Sequence, residues 1–273
     1  MVGDLAVHKA VILAAGAGSR MRSPVAGAVL TAEQRAAAHA GLKGLMPFPR
    51  PFLDFVLAAL TEAGIDQVCL VVGPQNSALM DYAAGRNGHP GLSTALQSEP
   101  RGTADALASA RAFTGADSFL VLNSDTFYPA AGLRGMTGLD GAGLLVVERA
   151  ETLADPTSNL DHDRLCSFAI VETDSAGSIC GLEEKPGRER YDSLPDPLWL
   201  SVNCWRFGPS IYEFCLGLEP SPRGELELPA AALAAAHSGL VIRPVATRGV
   251  LDLSTRADVE PVGRLLPGVL EFG

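Results

Sequence analysis

Short apolar runs alternate along the chain with longer stretches in which apolar residues recur every three or four positions. Val11–Leu13, Gln67–Val72, Leu92–Gln97, Ser118–Leu122 and Leu144–Val147 are runs of the first kind. Each is bounded by glycine, proline or polar residues, and each is predicted to be a buried strand. Phe168–Glu172 and Ile179–Leu182, separated by a turn at Asp174–Gly177, predict a hairpin. Trp199–Phe207, Val241–Val245 and Val250–Leu253 add further strands. Helical periodicity is clearest over Pro49–Ala63, where Phe52, Phe55, Val56, Ala59 and Leu60 share one face and Pro51 stands near the first turn. Further helices are expected over Asn76–Ala84, from Thr103 to Ala112, over Pro209–Leu216, within SPRGELELPAAALAAA and around Thr255–Leu265. Thr31 and Gln34 have capping-box spacing and Gly41 is a C-terminal stop, so Thr31–Gly41 is predicted to be a helix, either a lid or an inserted surface element. Ala150–Arg164 follows neither period and reads as an excursion. Strands and helices alternate throughout, which predicts an α/β fold.

Composition narrows this picture. The 273 residues suit one large α/β domain or two small ones, and a 47% hydrophobic content supplies a sizeable core. A formal net charge of −10 argues against nucleic-acid or anionic-membrane binding through bulk charge. It leaves room for a local basic pocket. Cys69, Cys166, Cys180, Cys204 and Cys215 are scattered and form no Cys-x-x-Cys pair, as expected of reduced thiols in a cytoplasmic protein. The five histidines show no metal-ligand spacing. The N-terminal stretch carries Asp4 and has no secretory-signal pattern, and no apolar run is long enough to cross a bilayer.

The candidate chemistry lies at strand ends. After Val11–Leu13 the chain turns through Gly16 and Gly18 and offers Ser19 and Arg20. Glycines let backbone N–H groups approach a phosphate, and an arginine adds charge-assisted hydrogen bonds. The turn is not a Walker A loop, which ends in Gly-Lys-Ser/Thr. Nor is it a dinucleotide fingerprint, because Met21 stands where the third glycine belongs and the strand Gln67–Val72 carries no acid at its tip. Gln97, at a strand end, has the donor and acceptor needed to read a nucleobase edge. Gly102 then permits close approach of a ligand and Thr103 is placed to cap the next helix. Asp125 follows the strongest buried strand, where ligands bind in open α/β sheets, and is a natural Mg²⁺ ligand.

These segments fall into one order: VILAAGAGSRM, Lys43 with Pro47, QSEPRGTADA, LNSDTFYP, LEEKP, SVNCWRF, RGELEL and GVLDLS. Together, over about Val11 to Val259, they resemble the sugar-1-phosphate nucleotidyltransferases, nearest to the glucose-1-phosphate thymidylyl- and uridylyltransferases. The resemblance implies a Rossmann-like αβα sandwich with a mixed, mostly parallel central sheet. It implies one domain, with a nucleotide-binding half over about 8–125 and a sugar-phosphate half over about 126–260. In the implied reaction a sugar 1-phosphate oxygen attacks the α-phosphorus of UTP or dTTP, and pyrophosphate leaves.

The implied roles follow. Arg20 and Lys43 touch the triphosphate near the reacting bond. Leu13, Ala14, Ala15, Gly16, Gly18 and Ser19 supply nucleotide contacts, and Gln97, Gly102 and Thr103 line the base site. Asp125 and Asp252 hold Mg²⁺. Glu184, Lys185, Asn203 and Ala169 line the sugar-phosphate site.

Four departures stand out. Lys43 follows the inserted helix where relatives have a Pro-Lys pair. Ala169 replaces a common glycine. Asp252 lies in Leu-Asp-Leu-Ser, without the usual tryptophan and Gly-Thr. The chain is also too short for the acetyltransferase domain of bifunctional relatives, which implies a single activity. Alternatives are a catalytically silent nucleotide-sugar sensor, from a different class, and, within the same class, a cytidylyltransferase acting on a phosphate such as phosphocholine. A glycosyltransferase of similar fold is less well matched, because Asn123-Ser124-Asp125 carries only one acid. Whether the chain self-associates is left open.

Overall fold

The structure, a computed structural model, describes residues 7–269; the stretch carrying Asp4 lies outside them. Eleven strands are present among the described residues. They are β1 Lys9–Leu13, β2 Gln67–Val72, β3 Gly91–Leu96, β4 Phe119–Asn123, β5 Thr126–Phe127 and β6 Ala142–Glu148, followed by β7 Ile170–Thr173, β8 Ile179–Glu183, β9 Trp199–Phe207, β10 Ile242–Ala246 and β11 Leu251–Asp252.

The main sheet runs β10-β6-β9-β4-β1-β2-β3, with the β7–β8 hairpin attached through β9. β1, β2, β3 and β4 are mutually parallel, as are β10 and β6, while β9 runs antiparallel between β4 and β6. The sheet is therefore mixed and mostly parallel. Parallel strands covered on both faces read as unbroken apolar runs, and the centres of β1 and β2 are fully buried.

Alternate residues of β1 separate two cores. Ala10 and Ile12 join the helix Phe52–Glu62 on one face, while Val11 packs with Leu107, Ala231 and Ala235 from helices Thr103–Ser109 and Leu228–His237 on the other. This produces the Rossmann-like three-layer sandwich.

The chain goes outward from β1 through β2 to β3, then returns to the opposite side of β1 as β4. Strand order reverses there. The crevice beyond the carboxyl ends of β1 and β4 is thus the switch point where α/β sheets bind ligands.

Several expectations shift. The helix predicted over Pro49–Ala63 is Phe52–Glu62, because Pro51 is extended and precedes the first turn. The helix from Thr103 breaks at Ala110 and resumes over Arg111–Thr114. The predicted Val250–Leu253 strand shrinks to β11, which pairs antiparallel with β5, itself too short to show a period. Helices at Ala130–Thr137 and Arg188–Ser193 add to those the sequence predicts, and the Ala150–Arg164 excursion overlaps two short helices, Arg149–Leu153 and His162–Leu165. Thr31–Gly41 matches its signals. Thr31 and Gln34 form the reciprocal capping box, and Gly41 ends the helix in a left-handed conformation.

Candidate active site

The loop after β1 opens the switch-point crevice. Its course is held by Ala14 N–H donating to the Val71 carbonyl (2.9 Å) and by the buried Asn76 amide donating to the Ala14 carbonyl (3.1 Å). Gly16 has no heavy atom near the space a Cβ would take, so its backbone faces open cavity. Gly18 has φ +64, and a Cβ there would strike the Gly41 backbone. The inserted helix thus packs its C-terminal glycine against the turn.

Gly18 leads into the helix Ser19–Arg22, which carries Arg20. Arg20 makes no hydrogen bond or ion pair among the described residues. Its helix is anchored from behind by the buried Arg256, which donates to the Met21 and Arg22 carbonyls (both 2.9 Å).

A cavity of about 490 Å³ lies over this turn and is lined by Leu13, Ala14, Ala15, Gly16, Gly18, Ser19, Arg20, Lys43, Gln97, Gly102, Thr103 and Asp125. Every residue expected at the nucleotide end therefore lines one space. Gln97 is buried, and its Nε2 donates to the Gly102 carbonyl (3.0 Å) and to Asp105 Oδ2 (2.8 Å). Both amide hydrogens are spent, leaving Oε1 as the acceptor.

Two expectations about the next loop change. At Gly102 (φ +117) a Cβ would meet the Leu226 backbone, so the close approach there is protein to protein. Thr103 does not cap its own helix. Its hydroxyl accepts the Leu228 N–H (2.8 Å), at the start of the helix Leu228–His237.

An adjoining cavity of about 270 Å³ shares Leu13, Arg20, Thr103 and Asp125 with the first and adds Glu184, Lys185, Asn203 and Asp252. Lys185 (φ 49) and Asn203 (φ 56) are the only non-glycine residues with positive φ among those described. Such backbone costs energy, least for asparagine, and clusters at functional sites. Burial raises the Glu184 pKa above its ordinary value, with nearby Glu227 adding to the effect.

Ala169 does not line this cavity. It is buried, and its carbonyl accepts the Ser201 N–H (2.9 Å), while Ser167 and Phe168 face the space instead.

The two acids meet through the β5–β11 ladder. Thr126 pairs with Asp252, and the Leu253 N–H donates to the Asp125 carbonyl (2.8 Å). Lys43 Nζ lies 2.8 Å from Asp125 Oδ2, which places this lysine at the acids despite the insertion before it. Asp252 is buried, and its pKa is pushed up to about 6, first by burial and then by the charge of Asp125, against the pull of Arg164. Two carboxylates crowded in this way, with only oxygen to donate, fit a hard divalent cation.

Residues of the excursion hold Asp252 in place, a role that sequence reasoning missed. Asn159 accepts the Asp252 N–H and donates to its carbonyl (both 2.8 Å), and Ser158 donates to the Val250 carbonyl (2.7 Å). Arg164 donates to Asp252 Oδ1 and to Ser254 Oγ. No periodicity marks these residues in the sequence. One histidine lies in a cluster that the sequence spacing does not show. His162, Cys166 and Asp192 bring potential ligand atoms within 4.8 Å of one another, and Arg188 Nη2 lies 3.3 Å from the same imidazole.

The Nucleotidyl transferase family model matches residues 9–249. The chain belongs to this family. It is 30% identical over 268 residues to a glucose-1-phosphate thymidylyltransferase of Streptomyces griseus, covering 94% of this chain and 66% of that protein. It is equally identical over 269 residues to one of Streptomyces antibioticus, covering 96% and 67%. The chain thus spans about two thirds of the length of these curated relatives. The inositol-1-phosphate CTP transferase of T. maritima superposes with a TM-score of 0.72 at 17% identity, covering 97% of each chain. A UDP-glucose pyrophosphorylase complexed with UDP-glucose superposes with a TM-score of 0.68 at 16% identity, covering 98% of this chain and all of the other. At such identities these neighbours establish the fold. Among the described residues no helix is long and apolar enough to cross a membrane.

Proposed function

We propose that this member of the family transfers a nucleoside monophosphate from UTP or dTTP to a sugar 1-phosphate, releasing pyrophosphate, with Mg²⁺ as the required cation. The observation that carries this reading is the convergence, at one switch point, of the Gly16–Arg20 turn, the Asp125–Asp252 pair and the strained Lys185 and Asn203 backbones. The names of the Streptomyces relatives support glucose 1-phosphate and dTTP as first candidates.

In such a displacement the protein positions and neutralises, and little covalent chemistry falls to it. Backbone N–H groups of the glycine turn and the unpaired Arg20 receive the triphosphate. Lys43 exchanges Asp125 for a phosphate oxygen as substrate enters. Lys185 directs the sugar phosphate toward the α-phosphorus, and Glu184 accepts from a sugar hydroxyl. Asp125 and Asp252 would hold the divalent cation, which when bound supplies charge neutralisation on the triphosphate oxygens. The free Gln97 Oε1 suits the N3–H of uracil or thymine, whereas cytosine presents an acceptor at that position. This favours UTP or dTTP over the cytidylyltransferase alternative.

The test is pyrophosphate release from a panel of triphosphates crossed with sugar 1-phosphates and with phosphocholine. Turnover is expected with a uracil or thymine nucleotide and a sugar 1-phosphate, and Asp125→Asn should abolish it while leaving the far-ultraviolet circular dichroism unchanged. Full turnover by Asp125→Asn with Mg²⁺, or turnover with CTP and phosphocholine alone, would reject the assignment.

A further inference from the structure

Each acid of the pair already holds a cation of the chain. Lys43 serves Asp125, and Arg164 serves Asp252. Lys43 reaches from the nucleotide side, but Arg164 comes from the aperiodic excursion and has no part in the roles above. Its side chain is only 17% exposed and that of Asp252 9%, so little water screens the pair. The guanidinium is held at three points: the Asp252 carboxylate, the Ser254 hydroxyl and the ring of Phe168, whose centroid is 5.9 Å from Cζ. Its Nε is buried without a partner. A single nitrogen, Nη2, makes both hydrogen bonds, to Asp252 and to Ser254, and the group lines the cavity in which Lys185 and Asn203 also stand.

We propose that Arg164 is a positioning residue for the metal site: its guanidinium is the resident counter-ion of Asp252 and must give way before a divalent cation takes that carboxylate. The inference rests on the reading of Asp125 and Asp252 as metal ligands. Arg164 pairs with one oxygen of the Asp252 carboxylate, where two bare carboxylates would repel, and it makes the free protein a poor cation binder. Displacing a buried guanidinium leaves it unpaired, which is costly. The cost is offset only when phosphates occupy the adjoining cavity and offer the freed fork a new acceptor. Cation binding is thereby coupled to substrate binding, and the site resists loading in the absence of nucleotide.

Mn²⁺ titration of the full chain, followed by the electron paramagnetic resonance signal of free Mn²⁺, tests this with and without UTP. Arg164→Gln is expected to bind Mn²⁺ at least tenfold more tightly than wild type without nucleotide, and the strengthening by UTP should fall by a similar factor. Ser254→Ala keeps the charge but removes one anchor, and should tighten nucleotide-free Mn²⁺ binding about threefold; it decides the matter if Arg164→Gln does not fold. Unchanged or weaker Mn²⁺ binding in the folded variants, with Asp252→Asn abolishing it, would overturn the role of Arg164 alone. Mn²⁺ binding that survives both Asp125→Asn and Asp252→Asn in the presence of UTP would overturn the underlying metal reading.

Discussion

Gln97 illustrates how a single amide acquires a direction. In sequence it offers both a donor and an acceptor at a strand end. In the fold, Gly102 and Asp105 take both hydrogens and leave the oxygen as the acceptor of a residue that lines the cavity. Gln97→Ala should therefore lower the preference for UTP over CTP roughly tenfold, the worth of about one hydrogen bond to a base edge, as read from the ratio of kcat/KM values. Arg20, which has no partner among the described residues, should act on developing charge: Arg20→Ala is expected to reduce kcat on the order of a hundredfold while moving KM for the sugar 1-phosphate less than threefold. Residues of this kind were legible because their chemistry sits directly after an apolar run. Arg164 and Asn159 were not, because a polar side chain in an aperiodic stretch looks the same whether it faces water or a buried aspartate.

Among the elements, those with strong local signals were readable and those made by tertiary pairing were not. The capping box and terminal glycine define the inserted helix from Thr31 to Gly41 before any fold is known. β5 and β11, two residues each, have no period to detect and exist only because they find each other. Gly102 shows the same limit. Sequence marks it as permissive, whereas only the fold reveals that the Leu226 backbone fills the space beside it and that the Ala104 N–H donates to the Leu226 carbonyl (2.9 Å). Gly102→Ala must adopt a φ that side chains avoid and push against backbone. It should destabilise the protein by about 2 kcal/mol or more, seen as a lower midpoint in thermal unfolding, whereas Gly16→Ala, which faces open space, should leave that midpoint nearly unchanged.

For the molecule as a whole, the Asp252 carboxyl ties stability to pH and, on the proposed reading, to metal. Its pKa is raised from 3.8 to about 6 by folding, so its contribution to stability is complete below the unfolded value and is lost as pH rises through about 6. A divalent cation held there as proposed would bind the ionised form and counteract that loss. Mg²⁺ or Mn²⁺, added with UTP at matched concentrations, should therefore raise the unfolding midpoint at pH 7.5 and have little effect at pH 5, a contrast that differential scanning fluorimetry can read and that Asp252→Asn should remove.

The antiparallel ladder that joins β5 to β11 has a consequence for biosynthesis. Its two halves are separated by roughly half the polypeptide, and contacts closing so long a loop form late because chain entropy opposes them until most other structure is in place. A nascent chain emerging from the ribosome exposes β1 to β4 well before Asp252 has been translated, and before Arg256, which anchors the helix carrying Arg20. Such an intermediate lacks both the second acid and the anchor of the Arg20 helix, so the proposed site is complete only once β11 and the residues after it have docked.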